Sequence, residues 1–249
     1  MSLIWFKQTK DTRYEVRSAG NSVRLYTNGV FHSQFNPASP VSGSVWDLLL
    51  LPAFFYAPGE IKRILVLGVG GGSVIRLLNH FVQPEKIVAV ELNPVHVQVA
   101  KRYFGVDQNE AELVCDDAID WVSDYQGPPF DMIIDDLFGE EEGEPKRAIE
   151  ASPNWKRQLL SHLSKRGVLV VNFVSAKEMD QSGCFTSQAT QKRFQSVFRL
   201  TMPGYENAVG VFLRNHATSK QLRENLVNTP GLNPRLKSSK LHYTIRRML

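Results

Sequence analysis

A glycine-rich turn between an apolar strand and a helix is the feature that most constrains the fold of this chain. The segment ILVLGVGGGSVIRLL, residues 64–78, runs from four apolar residues into Gly68, Gly70, Gly71 and Gly72, and a helical pattern follows. Glycines at such a turn let the backbone approach a ligand that a Cβ atom would block, or let the helix pack closely on its strand. The turn predicts a strand–turn–helix unit of a doubly wound sheet.

The chain from residue 62 onward repeats this alternation of strands and helices. We predict strands near 64–69, 86–92, 111–115, 130–136 and 167–174, and helices near 73–81, 94–104, 118–124 and 153–163. Such alternation is typical of a parallel sheet with helices on both faces. Two further strands near 196–202 and 208–214 are joined by the short segment PGYEN, which predicts an antiparallel hairpin at one edge. The expected fold is an α/β, doubly wound, mostly parallel, seven-stranded Rossmann-like sheet.

A small β-element is expected before this sheet. The segment RYEVRSAGNSVRLYTNGVFHSQF alternates apolar and polar residues and contains Gly20-Asn21 and Asn28-Gly29, which favour tight turns. A helix over Val45–Phe55 should link it to the sheet, with Pro52 inside or at its end. The predicted units are residues 1–55 (β-element and helix), 56–215 (nucleoside-binding domain) and 216–249 (C-terminal tail).

The net positive charge of the chain lies in its C-terminal tail. The net charge is +4, and residues 216–249 hold seven Lys or Arg against one acidic residue. A basic tail can contact nucleic acid, anionic lipid or an acidic partner, but a solvated terminal segment is the preferred interpretation. A nucleic-acid partner reached through the tail stays open as the less favoured alternative.

The two cysteines and the apolar runs indicate the compartment. Cys115 and Cys184 show no metal-ligand spacing and no disulfide framework, and Cys115 falls in a predicted strand, so a buried thiol and no metal are expected. The run VWDLLLLPAFFYA is interrupted and too short to span a bilayer, and the N-terminus lacks a signal-peptide pattern. The expectation is a cytoplasmic protein that binds no membrane.

Acidic residues follow the next three strands. Glu91 ends the second strand, Asp116 and Asp117 follow the third, and Asp135 and Asp136 follow the fourth. In doubly wound sheets ligands bind at these strand ends, and an acid at Glu91 can accept both ribose hydroxyls. A dinucleotide fingerprint fails because its last glycine is Ser73. The pattern favours a nucleoside without a pyrophosphate, such as adenosine attached to a sulfonium.

Several of these motifs together resemble the spermidine synthase family, which has the class I S-adenosylmethionine-dependent methyltransferase fold. The resemblance covers about residues 14–214. It rests on LYTNGVFHSQFN before the domain, on the glycine segment, and on VAVELNPVHVQVAKRYF, DDAIDWV and FDMIIDD in chain order.

The resemblance implies an adenosyl-sulfonium transferase that uses S-adenosylmethionine or its decarboxylated form. It implies that Gly68, Gly70 and Gly72 form the cofactor loop, with Glu91 at the ribose. It further implies Asp117 and Ala118 at the adenine, and Asp136 beside the sulfonium as the catalytic acid.

The chain departs from the family pattern on the acceptor side. Gly71 and Gly139 stand where the family has aspartates that engage amines, and Trp46 and Asp47 stand where it has a tyrosine–glutamine pair. An alkylamine arrives protonated, so Asp136 is expected to hold it and accept its proton. Asp47 and the acidic run at residues 140–142 and 144 can supply a replacement cradle, although a solvated acidic loop is the preferred interpretation.

The remaining candidates carry less weight. Tyr205 is a candidate for the acceptor site, Asn172 is expected to be a satisfied strand-end amide, and Asp135 a turn or capping residue. Of the histidines, His80, His96 and His162 lie on predicted helices away from the strand ends and are expected on the surface or in packing contacts.

Three functions stay open on the sequence. Aminopropyl transfer to a polyamine-type amine follows the family resemblance, with an altered acceptor site. Methyl transfer to another acceptor follows from the missing aspartates, and a non-catalytic adenosyl-binding protein is the third alternative. Exposed N-terminal strands can also pair between subunits, which predicts a homodimer.

Overall fold

The computed structural model describes residues 1–141, 144–182 and 192–249, and the side chains of residues 140, 141 and 144 lie outside that description. The N-terminal element is a four-stranded antiparallel sheet made of β1 (Ser2–Gln8), β2 (Arg13–Ala19), β3 (Ser22–Thr27) and β4 (Val30–Phe35), paired in that order. Asn28 and Gly29 form the turn between β3 and β4 with φ values of 49° and 86°. The predicted Asn-Gly turn is therefore present, and the predicted hairpin is part of a larger sheet.

The predicted linking helix is divided into two short helices. Helix α1 covers Val45–Leu50, and a 3-10 helix follows over Leu51–Phe55. Pro52 lies in the first turn of the 3-10 helix, where a missing backbone N–H costs nothing. All the side chains of both segments are buried.

The remaining elements follow the predicted alternation closely. In chain order they are β5 (Arg63–Leu67), α2 (Ser73–Phe81), β6 (Lys86–Glu91), α3 (Pro94–Tyr103), β7 (Glu112–Cys115), α4 (Ala118–Asp124), β8 (Phe130–Asp135), β9 (Phe138–Glu141), β10 (Glu144–Arg147), α5 (Pro153–Ser161), β11 (Leu163–Phe173), α6 (Ala176–Gln181), β12 (Ser196–Thr201), β13 (Ala208–Leu213), α7 (Ser219–Asn228) and β14 (Thr244–Arg247). The strands β9 and β10 pair with each other as a separate hairpin. The sequence predicted no strands there.

The central sheet has the order β14-β12-β13-β11-β8-β5-β6-β7. The strands β5, β6, β7, β8 and β11 run parallel, and β12, β13 and β14 extend the sheet antiparallel. The chain builds outward from β5 through β6 to β7 and then returns to the other side of β5 at β8. The crevice between β5 and β8 is therefore the topological switch point, where such sheets bind ligands.

Both faces of β5 are buried, which explains its unbroken apolar run. Ile64 and Val66 pack into the cluster on the side of α2 and α3, whereas Leu65 and Leu67 pack into the cluster under α4 and α5. Successive side chains of a strand point to opposite faces, so a strand covered on both sides needs apolar residues at every position.

The central sheet has eight described strands rather than the seven expected, because the C-terminal tail joins it. Strand β14 pairs with β12 and so covers the edge that the predicted hairpin leaves open. Leu222 and Leu226 lie one turn apart on α7 and are fully buried. The expectation of a solvated tail is therefore wrong for these segments.

Strand β7 forms the opposite edge of the sheet, and Cys115 at its end is exposed. The expected buried thiol is wrong because an edge strand has a neighbour on one side only. Cys184 lies outside the described residues. Within the described ranges, none of the helices has the length and apolar character needed to cross a bilayer.

Candidate active site

A cavity of about 270 Å³ opens at the carboxyl ends of the parallel strands, beneath the N-terminal sheet. Because β5 lies in register with β6 and β8, the residues Gly68, Glu91 and Asp136 come together at this edge. Backbone hydrogen bonds extend the ladder past the strands: the amide of Gly68 donates to Val90 O, and that of Asp136 donates to Leu67 O, each at 2.9 Å. The polar residues of the wall are Glu91, Asp136, His32, His96, Asn172 and Asn207.

Gly68 makes the closest approach of the glycine turn to a neighbouring strand. Its φ is +86°, and a Cβ atom there would collide with the backbone carbonyl oxygen of Asp136. A side chain at position 68 would therefore push apart the two strand ends that form the switch point. The close approach of Gly68 to Asp136 requires glycine for conformational and steric reasons together.

Two serines join the glycine turn to the N-terminal sheet. The amide of Gly71 donates to Ser33 Oγ at 2.7 Å. The hydroxyl of Ser73 accepts from the amide of Gln34 at 2.9 Å and donates to its carbonyl oxygen at 2.8 Å. Ser73, which breaks the dinucleotide fingerprint, thus attaches β4 to the start of α2.

Glu91 accepts hydrogen bonds from three backbone amides, two of which belong to the glycine turn. The amides of Val69 and Gly70 donate to Oε2 and that of Asn93 donates to Oε1, all at 2.9 Å. Burial raises the pKa of Glu91, but the nearby imidazole of His96 and the backbone donors outweigh burial and leave it below its usual value. Three of roughly four acceptor positions on this carboxylate are therefore in use. A ribose that donates two hydroxyls to Glu91 has to share or displace one of these amides.

Asp136 lies at the cavity wall and accepts a hydrogen bond from Asn172 Nδ2 at 2.8 Å. Asn207 in turn donates to Asn172 Oδ1 at 3.2 Å, which fixes the orientation of that amide. Burial raises the pKa of Asp136 to about 7; the hydrogen bond from Asn172 opposes the rise, and the negative charge of Asp135 adds to it. A carboxyl group with this pKa can accept and return a proton near neutral pH.

Asp135 points away from the cavity into a buried ion pair. Arg147 on β10 donates through Nη2 to both of its carboxylate oxygens, at 3.1 and 2.9 Å, and Trp155 Nε1 donates to Oδ2 at 3.0 Å. Arg147 Nη1 also donates to the carbonyl oxygen of Asn172 at 2.5 Å. Asp135 is therefore neither a turn nor a capping residue as expected: it anchors the β9–β10 hairpin behind Asp136.

Two histidines line the cavity, and the sequence interpretation missed both. His96 lies in the first turn of α3, with Nδ1 at 3.8 Å from Glu91 Oε1 and Nε2 at 2.8 Å from Thr27 Oγ1. The expectation that His96 lies away from the strand ends is wrong, because the first turn of a helix after a parallel strand returns to the same edge. The sequence signal that could have located His96 at the cavity was its position three residues after Asn93, the N-cap of α3.

His32 on β4 packs against His96, with ring centroids 5.1 Å apart and the ring planes tilted by 54°. Its Nε2 atom is buried and has no hydrogen-bond partner among the described residues. Burial and the neighbouring His96 lower the pKa of His32 to about 4, so its imidazole is neutral at physiological pH. The sequence gave no sign that His32 lines the cavity. Strand β4 reaches the cavity only because the N-terminal sheet packs on the central sheet.

Only some of the residues predicted at the acceptor site lie at the cavity. Trp46 and Tyr205 line the cavity. Asp47 does not: it is fully buried, and as the third residue of α1 it accepts hydrogen bonds from the amides of residues 42–44, in a capping box whose N-cap is Ser44. The expectation that Asp47 faces the pocket is wrong, because these amides occupy its carboxylate. The side chain of Glu140 lies outside the described residues, as do residues 142 and 143.

The predicted adenine residues lie at the same sheet edge but outside the cavity wall. Asp117 Oδ1 accepts from the amide of Ile119 at 2.7 Å and caps α4, and Ala118 is buried. The amide of Asp116 donates a 3.1 Å hydrogen bond to the carbonyl oxygen of Glu91, the residue predicted to bind the ribose. The residues predicted to bind the adenine therefore lie next to Glu91 along the sheet edge. Among the described residues, no cluster of three or more potential metal-ligating side chains is present.

Comparisons with known proteins point to one family. The family profile described as "Spermine/spermidine synthase domain" matches residues 48–223. A polyamine aminopropyltransferase 2 of Caldanaerobacter subterraneus subsp. tengcongensis is 29% identical over 133 residues, which cover 52% of this chain and 44% of that protein. An eEF1A lysine and N-terminal methyltransferase homolog of Drosophila melanogaster is 25% identical over 193 residues, covering 72% of this chain and 28% of that protein.

The fold has a similar solved counterpart. The crystal structure of a probable spermidine synthase from Corynebacterium glutamicum superposes with a TM-score of 0.73 at 14% identity, covering 98% of this chain and 90% of that one. The matches to the first curated relatives span about half the length of those proteins.

Proposed function

The chain belongs to the spermine/spermidine synthase family, and we propose that it is a transferase acting on an adenosyl sulfonium, either S-adenosylmethionine or its decarboxylated form. The observation that carries the proposal is the meeting of the glycine turn, Glu91 and Asp136 at the switch point of the sheet. The family relatives named above are transferases of two kinds, aminopropyl and methyl.

The described residues fit such a ligand in three parts. Glu91 receives the ribose next to the glycine turn, and Asp117 with Ala118 receives the adenine along the edge toward α4. Asp136 then lies beside the sulfonium. A carboxylate close to a sulfonium is favourable because the two charges are opposite and burial strengthens their attraction.

The sulfonium supplies an alkyl carbon with a good leaving group. Asp136 accepts the proton of the attacking amine while the nitrogen–carbon bond forms and the carbon–sulfur bond breaks, with the electron pair remaining on sulfur. Asn172 holds the Asp136 carboxylate in place, and Asn207 orients Asn172. A pKa near 7 suits a group that must be ionised before the reaction and protonated after it.

Aminopropyl transfer to an amine is the reaction that the family membership supports. Methyl transfer is the second candidate, and one observation favours it. A Cβ atom at Gly71 would lie 2.7 Å from Cζ of Phe104, so the ring fills the space of the aspartate that the family pattern has there. A site without that carboxylate has lost a reason to prefer the decarboxylated form.

The test is a calorimetric titration with S-adenosylmethionine, its decarboxylated form and methylthioadenosine. We expect at least one to bind, and tenfold tighter binding of one sulfonium, about 1.4 kcal/mol, assigns the group that is transferred. Asp136→Asn should keep the affinity for methylthioadenosine and lose turnover. Glu91→Gln should lose affinity for all three. Binding of none of them would refute the proposal. Binding without turnover in the presence of amines would count against aminopropyl transfer and would leave methyl transfer to another acceptor or a non-catalytic adenosyl-binding protein.

A further inference from the structure

We propose that the acceptor is a protein with an acidic segment, which binds in a basic groove beside the cavity while a lysine or N-terminal amine of the same chain enters the cavity. This inference rests on the proposed function and deepens it by naming the class of acceptor. The basic groove lies between α7 and the segment that leads into β14, and its volume is about 500 Å³.

Three basic side chains from different parts of the C-terminal segment line this groove. Arg223 comes from α7, Arg235 from the loop that follows it and His242 from the segment before β14. All three residues are exposed, and none forms an ion pair with another described residue. Burial raises the pKa of Tyr243 in the same groove, and the charge of Arg223 and its hydrogen bond to the hydroxyl oppose the rise. The two guanidinium groups are available to carboxylates, which they bind with two parallel hydrogen bonds.

The basic groove and the cavity lie at the same edge of the central sheet. The first residue of β14, Thr244, pairs with Thr201 at the end of β12. The first residue of β13, Ala208, pairs with Phe173 at the end of β11. The start of β14, the β12–β13 connection and the end of β11 are therefore neighbours along this edge, which continues to Asp136 after β8.

One short connection joins the two sites. Pro203 lines the groove and Tyr205, two residues later, lines the cavity, whereas Glu206 lines neither. Four strand spacings of about 4.8 Å separate β14 from β8, so the groove lies roughly 19 Å from Asp136 along the edge. An extended chain spans at most about 3.3–3.6 Å per residue. An acceptor that contacts both sites is therefore a chain with about six residues between its acidic segment and its amine.

The distribution of charge favours a short acidic segment over a long polyanion. Residues 216–249 carry seven Lys or Arg and one acidic residue, whereas residues 1–215 carry 22 Lys or Arg and 24 Asp or Glu. A nucleic acid is bound through several phosphates along its length, and beyond the groove it would meet a slightly acidic surface.

A peptide supplies what both sites require. Its carboxylates pair with the two arginines of the groove. Its amine nitrogen displaces the sulfur of the adenosyl ligand in the cavity, with the electron pair remaining on sulfur and the proton passing to Asp136.

The experiment compares three fluorescein-labelled probes by anisotropy titration of the full chain. The first is a blocked peptide of four glutamates, five glycines and one lysine; the second has glutamines in place of the glutamates; the third is an oligothymidylate of similar length. We expect the acidic peptide to bind at least tenfold more tightly than the glutamine peptide. Arg223→Gln with Arg235→Gln should weaken it about tenfold. Arg157→Gln with Lys165→Gln, which removes the same charge from exposed positions outside the groove, should change it less than twofold.

A second variant covers the case in which the double substitution disturbs the fold. The side chain of Arg235 has no hydrogen-bond or ion-pair partner among the described residues, so Arg235→Gln alone should fold and should weaken the acidic peptide about threefold. Mass spectrometry of peptides incubated with each sulfonium then measures transfer to the lysine. We expect kcat/KM to be at least tenfold higher for the acidic peptide than for the glutamine peptide.

The outcomes separate this inference from the function on which it rests. Equal affinity for the two peptides overturns the inference, and so does binding that the arginine substitutions leave unchanged. Tighter binding of the oligothymidylate than of the acidic peptide overturns it in favour of a nucleic acid. An acidic peptide that binds but is not modified by protein that binds methylthioadenosine overturns the assignment of the acceptor. Peptide binding as expected, in protein that binds no adenosyl ligand, counts against the transferase and leaves the acidic segment in the groove.

Discussion

Replacing Asn172 with leucine should raise the pKa of Asp136, because it removes the side-chain donor that favours the ionised carboxylate. Asn172 Nδ2 lies 2.8 Å from Asp136 Oδ1. A hydrogen bond to a charged group contributes about 1.5–3 kcal/mol, and one pKa unit corresponds to about 1.4 kcal/mol. The expected rise is therefore roughly one to two units above the starting value of about 7.

The pKa can be followed directly by NMR titration of the carboxyl carbons in protein labelled with ¹³C-aspartate. Asp136→Asn identifies the signal. Asn207→Leu is the matched control, since it removes the partner of Asn172 and leaves the bond to Asp136 in place; its shift should be less than half as large. An unchanged pKa in Asn172→Leu would refute the assignment of Asn172 as the group that holds Asp136 ionised.

The same titration affects stability in a defined direction. The folded-state pKa of Asp136 lies above its ordinary value of 3.8, so folding favours the protonated form. Its contribution to the free energy of unfolding is therefore lost as pH rises from about 4 to about 7. In Asn172→Leu this loss should continue to higher pH, and the acidic limb of a rate profile should move upward with it.

Three further substitutions test the site and its supports by urea unfolding. Glu91→Gln should lower the free energy of unfolding by about 2 kcal/mol, because an amide replaces the carboxylate that accepts hydrogen bonds from three backbone amides. Unchanged stability would mean that Glu91 does not hold the glycine turn. Gly68→Ala should lower the free energy of unfolding by roughly 3 kcal/mol or more, because φ is positive and the Cβ atom collides with the end of the neighbouring strand β8. Gly204→Ala, which has a positive φ in open space, should cost about 1–2 kcal/mol; equal costs would contradict the close approach. Arg147→Met should lower the free energy of unfolding by about 3–5 kcal/mol, because it leaves the buried carboxylate of Asp135 without its ion-pair partner. Adding Asp135→Asn should restore part of the lost stability. If it restores none, the buried ion pair does not account for the loss.

Local signals in the sequence were sufficient for the strand ends of the site. The apolar runs before Gly68, Glu91 and Asp136 predict buried parallel strands, and residues that follow such strands must meet at one edge. The register of β5 with β6 and β8 agrees with that expectation.

Residues that act through contacts distant in the sequence were predicted poorly. Asp47 was expected in the pocket because of its alignment position, but the amides of residues 42–44 fold back over it. Arg147 gave no signal, because its partner Asp135 becomes accessible to it only when the β9–β10 hairpin packs against β8 and β11.

The sequence by itself determined the alternation of strands and helices, the need for glycine beside the switch point, and the acids at the strand ends, since each depends on residues within a few positions of one another. The tertiary structure decided what surrounds those acids. His32 enters the cavity because one sheet packs on another, His96 because α3 returns to the sheet edge, and β14 joins the sheet because β12 leaves an edge unpaired. Such contacts join residues far apart in the chain, and no local periodicity encodes them.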